Sequence, residues 1–167
     1  MKRIYSALVL DDDPDSIAFM KWFMDENFPW VRVATGTEAI PAKGFDIYYI
    51  DNNFHGKARA VQIVREIRET DDNAMIIAYS ATMDSATYKS LMNAGCNGAV
   101  EKGNSKDMAV MGRMTREYIQ KRNAMDEADK PQGLRAVVQS MAELINQWNQ
   151  AVSQPDSMEG VADESRV

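Results

Sequence analysis

Short apolar runs alternate along the chain with segments in which apolar residues recur every three or four positions. A continuous apolar run indicates a strand that is buried on both faces, and the three-to-four spacing indicates a helix that is buried on one face. The predicted strands are residues 7–10, 30–34, 46–50, 74–79 and 98–100. The first predicted helix begins at Pro14, and the other four cover residues 37–43, 58–69, 84–94 and 105–122. This alternation predicts an α/β fold with a five-stranded parallel sheet that is covered by helices on both faces.

Several residues at element ends support these boundaries. Pro14 suits the first turn of a helix, where the N–H that proline lacks has no partner in any case. Pro41 is expected to break the short helix over residues 37–43. Gly95 suits the end of the fourth helix, and Ser105 can cap the start of the fifth. The main domain of the chain is therefore predicted to span residues 1–123.

A further amphipathic helix is predicted within residues 124–152. Its apolar residues recur at spacings of four and three and form one stripe, which we call the apolar seam: Leu134, Val138, Met141, Ile145, Trp148 and Val152. Such a stripe must be buried against the body of the same chain, against a second copy or against another protein. Self-docking and dimerisation are favoured over a dedicated partner site. Residues 153–167 are polar and acidic and are predicted to be a disordered tail.

The charge distribution limits the classes of partner. The net charge is −6, and residues 124–167 contain eight acidic and only three basic residues. Nucleic-acid binding requires a basic surface, so we expect none. The single cysteine excludes an internal disulfide, and no run approaches the length of a membrane span. A cytoplasmic protein with no membrane segment is therefore expected.

Polar residues follow four of the five predicted strands, where ligands bind in parallel α/β sheets. In chain order these residues are Asp11, Asp12 and Asp13, then Asp51, then Ser80, then Lys102. Clustered carboxylates repel one another unless a cation compensates, and Mg²⁺ prefers oxygen ligands of this kind. An aspartate can also accept a phosphoryl group, whose charge a metal ion and a lysine can neutralise.

The stretches LVLDDDPDS, DIYYIDNN, AYSAT and EKG, in this order and spacing, resemble the receiver domain of two-component response regulators. The resemblance covers about residues 4–122. It implies a flavodoxin-like strand order 2-1-3-4-5, an order that receivers themselves exemplify. It also implies that Asp51 accepts a phosphoryl group from a histidine kinase or a histidine phosphotransfer protein, with Mg²⁺ required.

The resemblance assigns a role to each matching residue. Asp12, Asp51 and the backbone carbonyl of Asn53 would ligate Mg²⁺ directly, and Asp11 would act mainly through water. Ser80 matches the hydroxyl residue that moves when the phosphoryl group arrives, and Lys102 matches the phosphate-binding lysine. Asp13 is interpreted as a favourable acid at the start of the first helix.

The chain also departs from the family pattern. Ala99 stands where an aromatic residue usually rotates on activation, and Gly103 stands where a proline usually follows the lysine. His55 and Arg59 replace a usual proline and a usual glycine. The residues for phosphoryl acceptance are thus complete, whereas those for transmitting the signal are altered. We expect the fourth helix, the fifth strand and the C-terminal extension to carry the signal instead.

Three functions are compatible with these residues. The favoured one is a phosphorelay response regulator, not an enzyme acting on other molecules, that signals to a downstream protein by direct contact. A homodimer through the fourth helix and fifth strand, or through the C-terminal helix, is the favoured assembly. The alternative is a receiver-like docking or dimerisation module that works without phosphorylation. An aspartyl-phosphate phosphatase is disfavoured, because Asn53 replaces the second catalytic aspartate that such an enzyme needs two residues after Asp51.

Overall fold

A computed structural model describes residues 3–128 and 132–152 of the chain. Contacts divide the chain into two compact units, Met1–Ala124 and Met125–Val167. Within the described residues, no helix combines the length and the apolar character that crossing a membrane would require. The tail predicted over residues 153–167 lies outside the described residues.

Five parallel strands form the sheet of the first unit. They are β1 (Tyr5–Leu10), β2 (Val31–Gly36), β3 (Ile47–Asp51), β6 (Met75–Ser80) and β7 (Gly98–Glu101). Their order is β2-β1-β3-β6-β7, so the predicted order 2-1-3-4-5 is confirmed for the five long strands. Strands β3 and β6 are buried along their whole length, as their continuous apolar sequences predicted.

Helices cover both faces of this sheet. These helices are α1 (Pro14–Asn27), α2 (Ala60–Arg68), α3 (Ser85–Ala94) and α4 (Ser105–Ala128). One core contains the buried side chains of α1 and α4, including Met20, Phe23 and Met111. The other core contains those of α2 and α3, including Ile63 and Leu91. The doubly wound architecture is therefore confirmed.

The prediction of a helix over residues 37–43 is wrong. These residues form bends without helical structure, and they connect β2 to β3 directly. Gly36 precedes the segment and Pro41 lies within it, and proline disfavours the helical conformation for Ile40, the residue before it. The remaining residues are too few for a helix, because the first turn fixes several residues for a single hydrogen bond.

A small hairpin follows β3 and was not predicted. Strands β4 (Asn53–Phe54) and β5 (Lys57–Ala58) pair in antiparallel fashion. The two residues between them, His55 and Gly56, have φ angles of 50° and 77°. Two successive positive φ angles are typical of the tight type I′ turn, which glycine adopts without strain. The hairpin lies directly after Asp51 and thus beside the predicted site.

Helix α5 (Gln132–Val152) belongs to the second unit. It lies within residues 124–152, where the sequence predicts an amphipathic helix, so that helix is confirmed. Among the residues of the apolar seam, the side chains of Val138, Met141, Ile145 and Trp148 are 59–69% exposed. Large apolar side chains exposed side by side are typical of a surface that binds another protein.

Candidate functional site

The carboxyl ends of four strands bring the predicted site residues together. Asp11 directly follows β1, Asp51 ends β3, Ser80 ends β6, and Lys102 directly follows β7. The register aligns these ends, since Leu10 pairs with Ile50. Asp11, Asp51 and Ser80 are all buried although they are polar. Burial of a polar side chain without a partner costs free energy, so three buried polar side chains at one sheet edge indicate a functional site in which they have partners.

Lys102 connects the two buried carboxylates. Its ammonium nitrogen Nζ lies 2.7 Å from Oδ2 of Asp11 and 3.0 Å from Oδ1 of Asp51. It also donates a hydrogen bond of 3.2 Å to the Ser16 hydroxyl. Burial lowers the pKa of Lys102, but the bonds to Asp11 and Asp51 outweigh burial and leave the pKa above its ordinary value. Lys102 therefore stays charged and compensates part of the negative charge.

Asp51 is 5% exposed and is held from two sides. Its Oδ2 accepts a hydrogen bond of 3.0 Å from the backbone N–H of Asn53, and its Oδ1 contacts Lys102. Burial raises the pKa of Asp51, Lys102 opposes that rise, and repulsion from Asp11 adds to it, so that the pKa lies above its ordinary value. The raised pKa indicates that Lys102 and the Asn53 N–H offset the burial of the Asp51 carboxylate only in part.

Asp11 is completely buried and accepts three hydrogen bonds. Its Oδ1 accepts from the backbone N–H of Asp13 at 2.9 Å. Its Oδ2 accepts from Lys102 and, at 2.7 Å, from the hydroxyl of Tyr79. Burial and the negative charge of Asp11 raise the pKa of Tyr79, so its hydroxyl remains a neutral donor.

The other two aspartates of the acidic run differ in their surroundings. Oδ2 of Asp12 accepts a hydrogen bond of 2.7 Å from the backbone N–H of His55 and lies 3.2 Å from the imidazole Nδ1 of that residue. Asp13 is exposed and caps α1, accepting from the backbone N–H of Asp15 and from the Ser16 hydroxyl. The interpretation of Asp13 as a residue of the helix start is thus confirmed.

The three carboxylates of Asp11, Asp12 and Asp51 fit a hard divalent cation. One oxygen from each lies within 4.8 Å of the others. They line a cavity of about 240 Å³, together with Asn53, Ser80 and Lys102. Mg²⁺ prefers carboxylate oxygens and retains several waters, so it requires few protein ligands and some space. The donor set and the cavity both meet these requirements.

A second cavity of about 240 Å³ also borders Lys102. It is lined by residues of α1, including Phe19 and Met20, by Gly103 in the loop before α4 and by Met108 of α4. Tyr79 and Lys102 border this cavity too, so the lysine lies between a polar and a largely apolar space.

Comparison with solved structures agrees with this architecture. The activated receiver domain of DrrB shares 16% sequence identity, covers 71% of this chain and 99% of its own, and gives a TM-score of 0.61. The signal receiver domain of a DNA-binding response regulator from Colwellia psychrerythraea 34H shares 16% identity, covers 70% of this chain and 98% of its own, and gives a TM-score of 0.60. A CheY-like receiver domain protein from Methanospirillum hungatei JF-1 shares 13% identity, covers 74% of this chain and 99% of its own, and gives a TM-score of 0.62.

The chain has the receiver fold. Sequence comparison adds nothing to this, since no protein-family model and no curated protein matches the chain. At identities of 13–16%, the structural similarity establishes the receiver fold and leaves the activity to the chemistry of the site.

Two contacts of this site are not evident from the sequence. The apolar pattern places Tyr79 at the end of a predicted strand, and His55 stands where the family usually has a proline. A signal was available for Tyr79, because its hydroxyl lies at the end of the strand that leads into Ser80. No signal was available for His55, since its contact with Asp12 depends on the unpredicted hairpin.

Proposed function

We propose that this chain is a phosphorelay response regulator whose Asp51 accepts a phosphoryl group from a histidine kinase or a histidine phosphotransfer protein. The observation that supports the proposal is the contact of Lys102 with both Asp51 and Asp11 at the rim of a three-carboxylate cavity. This arrangement places a nucleophile, a fixed positive charge and a set of metal ligands around one space. The receiver fold is consistent with it.

In the proposed reaction, a carboxylate oxygen of Asp51 attacks the phosphorus of a phosphohistidine. The new O–P bond forms as the P–N bond breaks, and the imidazole of the donor leaves with the electron pair and takes a proton from solvent. Lys102 neutralises charge on the phosphoryl oxygens, and the Ser80 hydroxyl donates a hydrogen bond to one of them. Asp11, Asp12, Asp51 and the Asn53 carbonyl would hold Mg²⁺, which supplies further charge neutralisation when bound.

The experiment uses the full chain with acetyl phosphate or a phosphohistidine donor in the presence of Mg²⁺, followed by intact-mass measurement. A gain of one phosphoryl group, absent when EDTA replaces Mg²⁺, is the expected result. Absence of any gain with either donor contradicts the proposal and favours the phosphorylation-independent docking module.

We further propose that the output is a protein contact and that the apolar seam of α5 binds a second copy of the chain. The described seam residues Val138, Met141, Ile145 and Trp148 follow spacings of three, four and three, which is the spacing with which paired helices interlock. A second copy carries an identical seam and therefore offers a self-complementary surface. Full burial of each such side chain contributes about 1.5–3 kcal/mol.

The substitution Ile145→Asp is expected to weaken self-association by about 100-fold or more, because it places a charge in the centre of the seam. The measurement is sedimentation equilibrium over a range of concentrations. Gln139→Asp is the matched control, since it adds the same charge to an exposed polar residue of α5. A wild-type chain that stays monomeric at every concentration, or an equal effect of both substitutions, would overturn the dimer proposal.

A further inference from the structure

Tyr79 contacts two members of the phosphoacceptor site at once. The residue is 2% exposed and directly precedes Ser80 in β6. Its hydroxyl donates a hydrogen bond of 2.7 Å to Oδ2 of Asp11. The ammonium of Lys102 lies 4.8 Å from the centre of the Tyr79 ring, within the range of a cation–π interaction. One buried side chain therefore touches both an acid of the cluster and the phosphate-binding lysine.

Asp11 depends on few donors. Apart from the backbone N–H of Asp13, its hydrogen bonds come from Lys102 and Tyr79, and both of these reach the same oxygen, Oδ2. The ammonium of Lys102 has three N–H groups, and it contacts Asp11, Asp51 and Ser16. No N–H group of Lys102 is left over for an arriving phosphoryl group.

To bind a phosphoryl group on Asp51, Lys102 must therefore redirect at least one of these N–H groups. If the redirected group is the one on Asp11, that carboxylate loses a donor. A fully buried carboxylate that loses its side-chain donors is destabilised, and this would oppose the rearrangement. The Tyr79 hydroxyl can stay on Oδ2 of Asp11 throughout, because it has no role toward the phosphoryl group.

We propose that Tyr79 is a positioning residue of the phosphoacceptor site, which keeps Asp11 hydrogen-bonded and thereby releases Lys102 to bind the phosphoryl group. This inference rests on the proposed phosphorylation of Asp51. Tyr79 on β6 would thus give phosphoryl binding an aromatic residue, although the usual aromatic position of the family, on β7, is Ala99 in this chain. Tyr79 acts through Asp11 and Lys102, and it does not itself touch the phosphoryl group.

The test compares Tyr79→Phe with wild type by calorimetric titration. Phenylalanine keeps the ring beside Lys102 and removes only the hydroxyl. The chain is titrated first with Mg²⁺ alone and then, at saturating Mg²⁺, with beryllofluoride as the phosphoryl mimic. We expect beryllofluoride to bind Tyr79→Phe about 10-fold more weakly than wild type, and Mg²⁺ to bind with a Kd changed by less than about 3-fold.

Tyr49→Phe is the matched control. Tyr49 lies on the neighbouring strand β3, is equally buried, and shares a hydrogen bond of 2.7 Å with Thr115 away from the site. This variant is expected to bind beryllofluoride within about 2-fold of wild type, although it too loses a buried hydrogen bond. A positioning role of Tyr79 predicts this difference, whereas a general loss of stability would weaken both variants.

The outcomes separate this inference from the proposed function. If wild type binds beryllofluoride and Tyr79→Phe binds it equally well, the inference is wrong and the function stands. If both tyrosine variants are weakened equally, or if Tyr79→Phe loses Mg²⁺ and beryllofluoride affinity in equal measure, the positioning role is also wrong. If wild type itself does not bind beryllofluoride, the proposed phosphorylation fails first.

Discussion

Asp51→Asn is expected to abolish phosphorylation of the chain, with no phosphoryl mass gain after incubation with acetyl phosphate and Mg²⁺. The amide is nearly isosteric with the carboxylate but is a far weaker nucleophile, and it removes one of the three carboxylates that fit the metal. The reduction should be at least about 100-fold, the size of effect that removal of a central catalytic group produces. Intact-mass spectrometry over a time course gives the rate directly.

The control for this substitution is Asp13→Asn. Asp13 belongs to the same acidic run and borders the same cavity, but it is exposed, caps α1 and is not one of the three clustered carboxylates. Its replacement should leave the phosphorylation rate within about 3-fold of wild type, since asparagine also caps helices well. Equal loss in both variants, or an undiminished mass gain in Asp51→Asn, would show that Asp51 is not the acceptor.

Asp51→Asn is also expected to fold at least as stably as wild type at neutral pH. Burial raises the pKa of Asp51, so the folded state holds a proton more tightly than the unfolded state does. Stability from this group is therefore present at low pH and is lost as the pH rises through the folded-state pKa. The neutral amide avoids that loss, which means that failure to phosphorylate cannot be attributed to unfolding. Thermal melts of both proteins at neutral pH check this point.

The strands and the main site residues could be predicted because their signals are local in the sequence. A buried parallel strand needs a continuous apolar run, and β3 and β6 carry one. Residues that directly follow such strands must meet at one sheet edge, whatever the details of the loops. Asp11, Asp51, Ser80 and Lys102 therefore came together as expected.

The remaining features depend on interactions that the local pattern does not contain. The segment 37–43 has apolar residues at plausible helical spacing, but Pro41 and its short length leave it irregular. The hairpin turn at His55 and Gly56 needs two positive φ angles, and His-Gly is a less common way to provide them than Asn-Gly. The bond of Tyr79 to Asp11 joins residues 68 positions apart in the sequence.

Lys102→Met is expected to destabilise the metal-free domain by about 2–3 kcal/mol. Removal of one partner from a buried ion pair leaves the other charge uncompensated, and here both Asp11 and Asp51 lose their cation. The value lies at or below the lower end of the usual range, because the Lys102 side chain is 22% exposed and its charge is partly screened. Urea unfolding in EDTA, followed by circular dichroism, measures the free energy of unfolding.

Mg²⁺ should restore much of the stability of Lys102→Met, because a divalent cation among the three carboxylates compensates the same charges. Phosphorylation should remain slow even at saturating Mg²⁺, by about 100-fold, since the metal cannot replace a donor fixed beside Asp51. Lys106→Met, at an exposed position near the start of α4, is the matched control and should change neither quantity appreciably. A metal-free Lys102→Met domain as stable as wild type would mean that the Lys102 contacts do not compensate the buried carboxylates. A wild-type phosphorylation rate in Lys102→Met would mean that Mg²⁺ alone neutralises the phosphoryl charge.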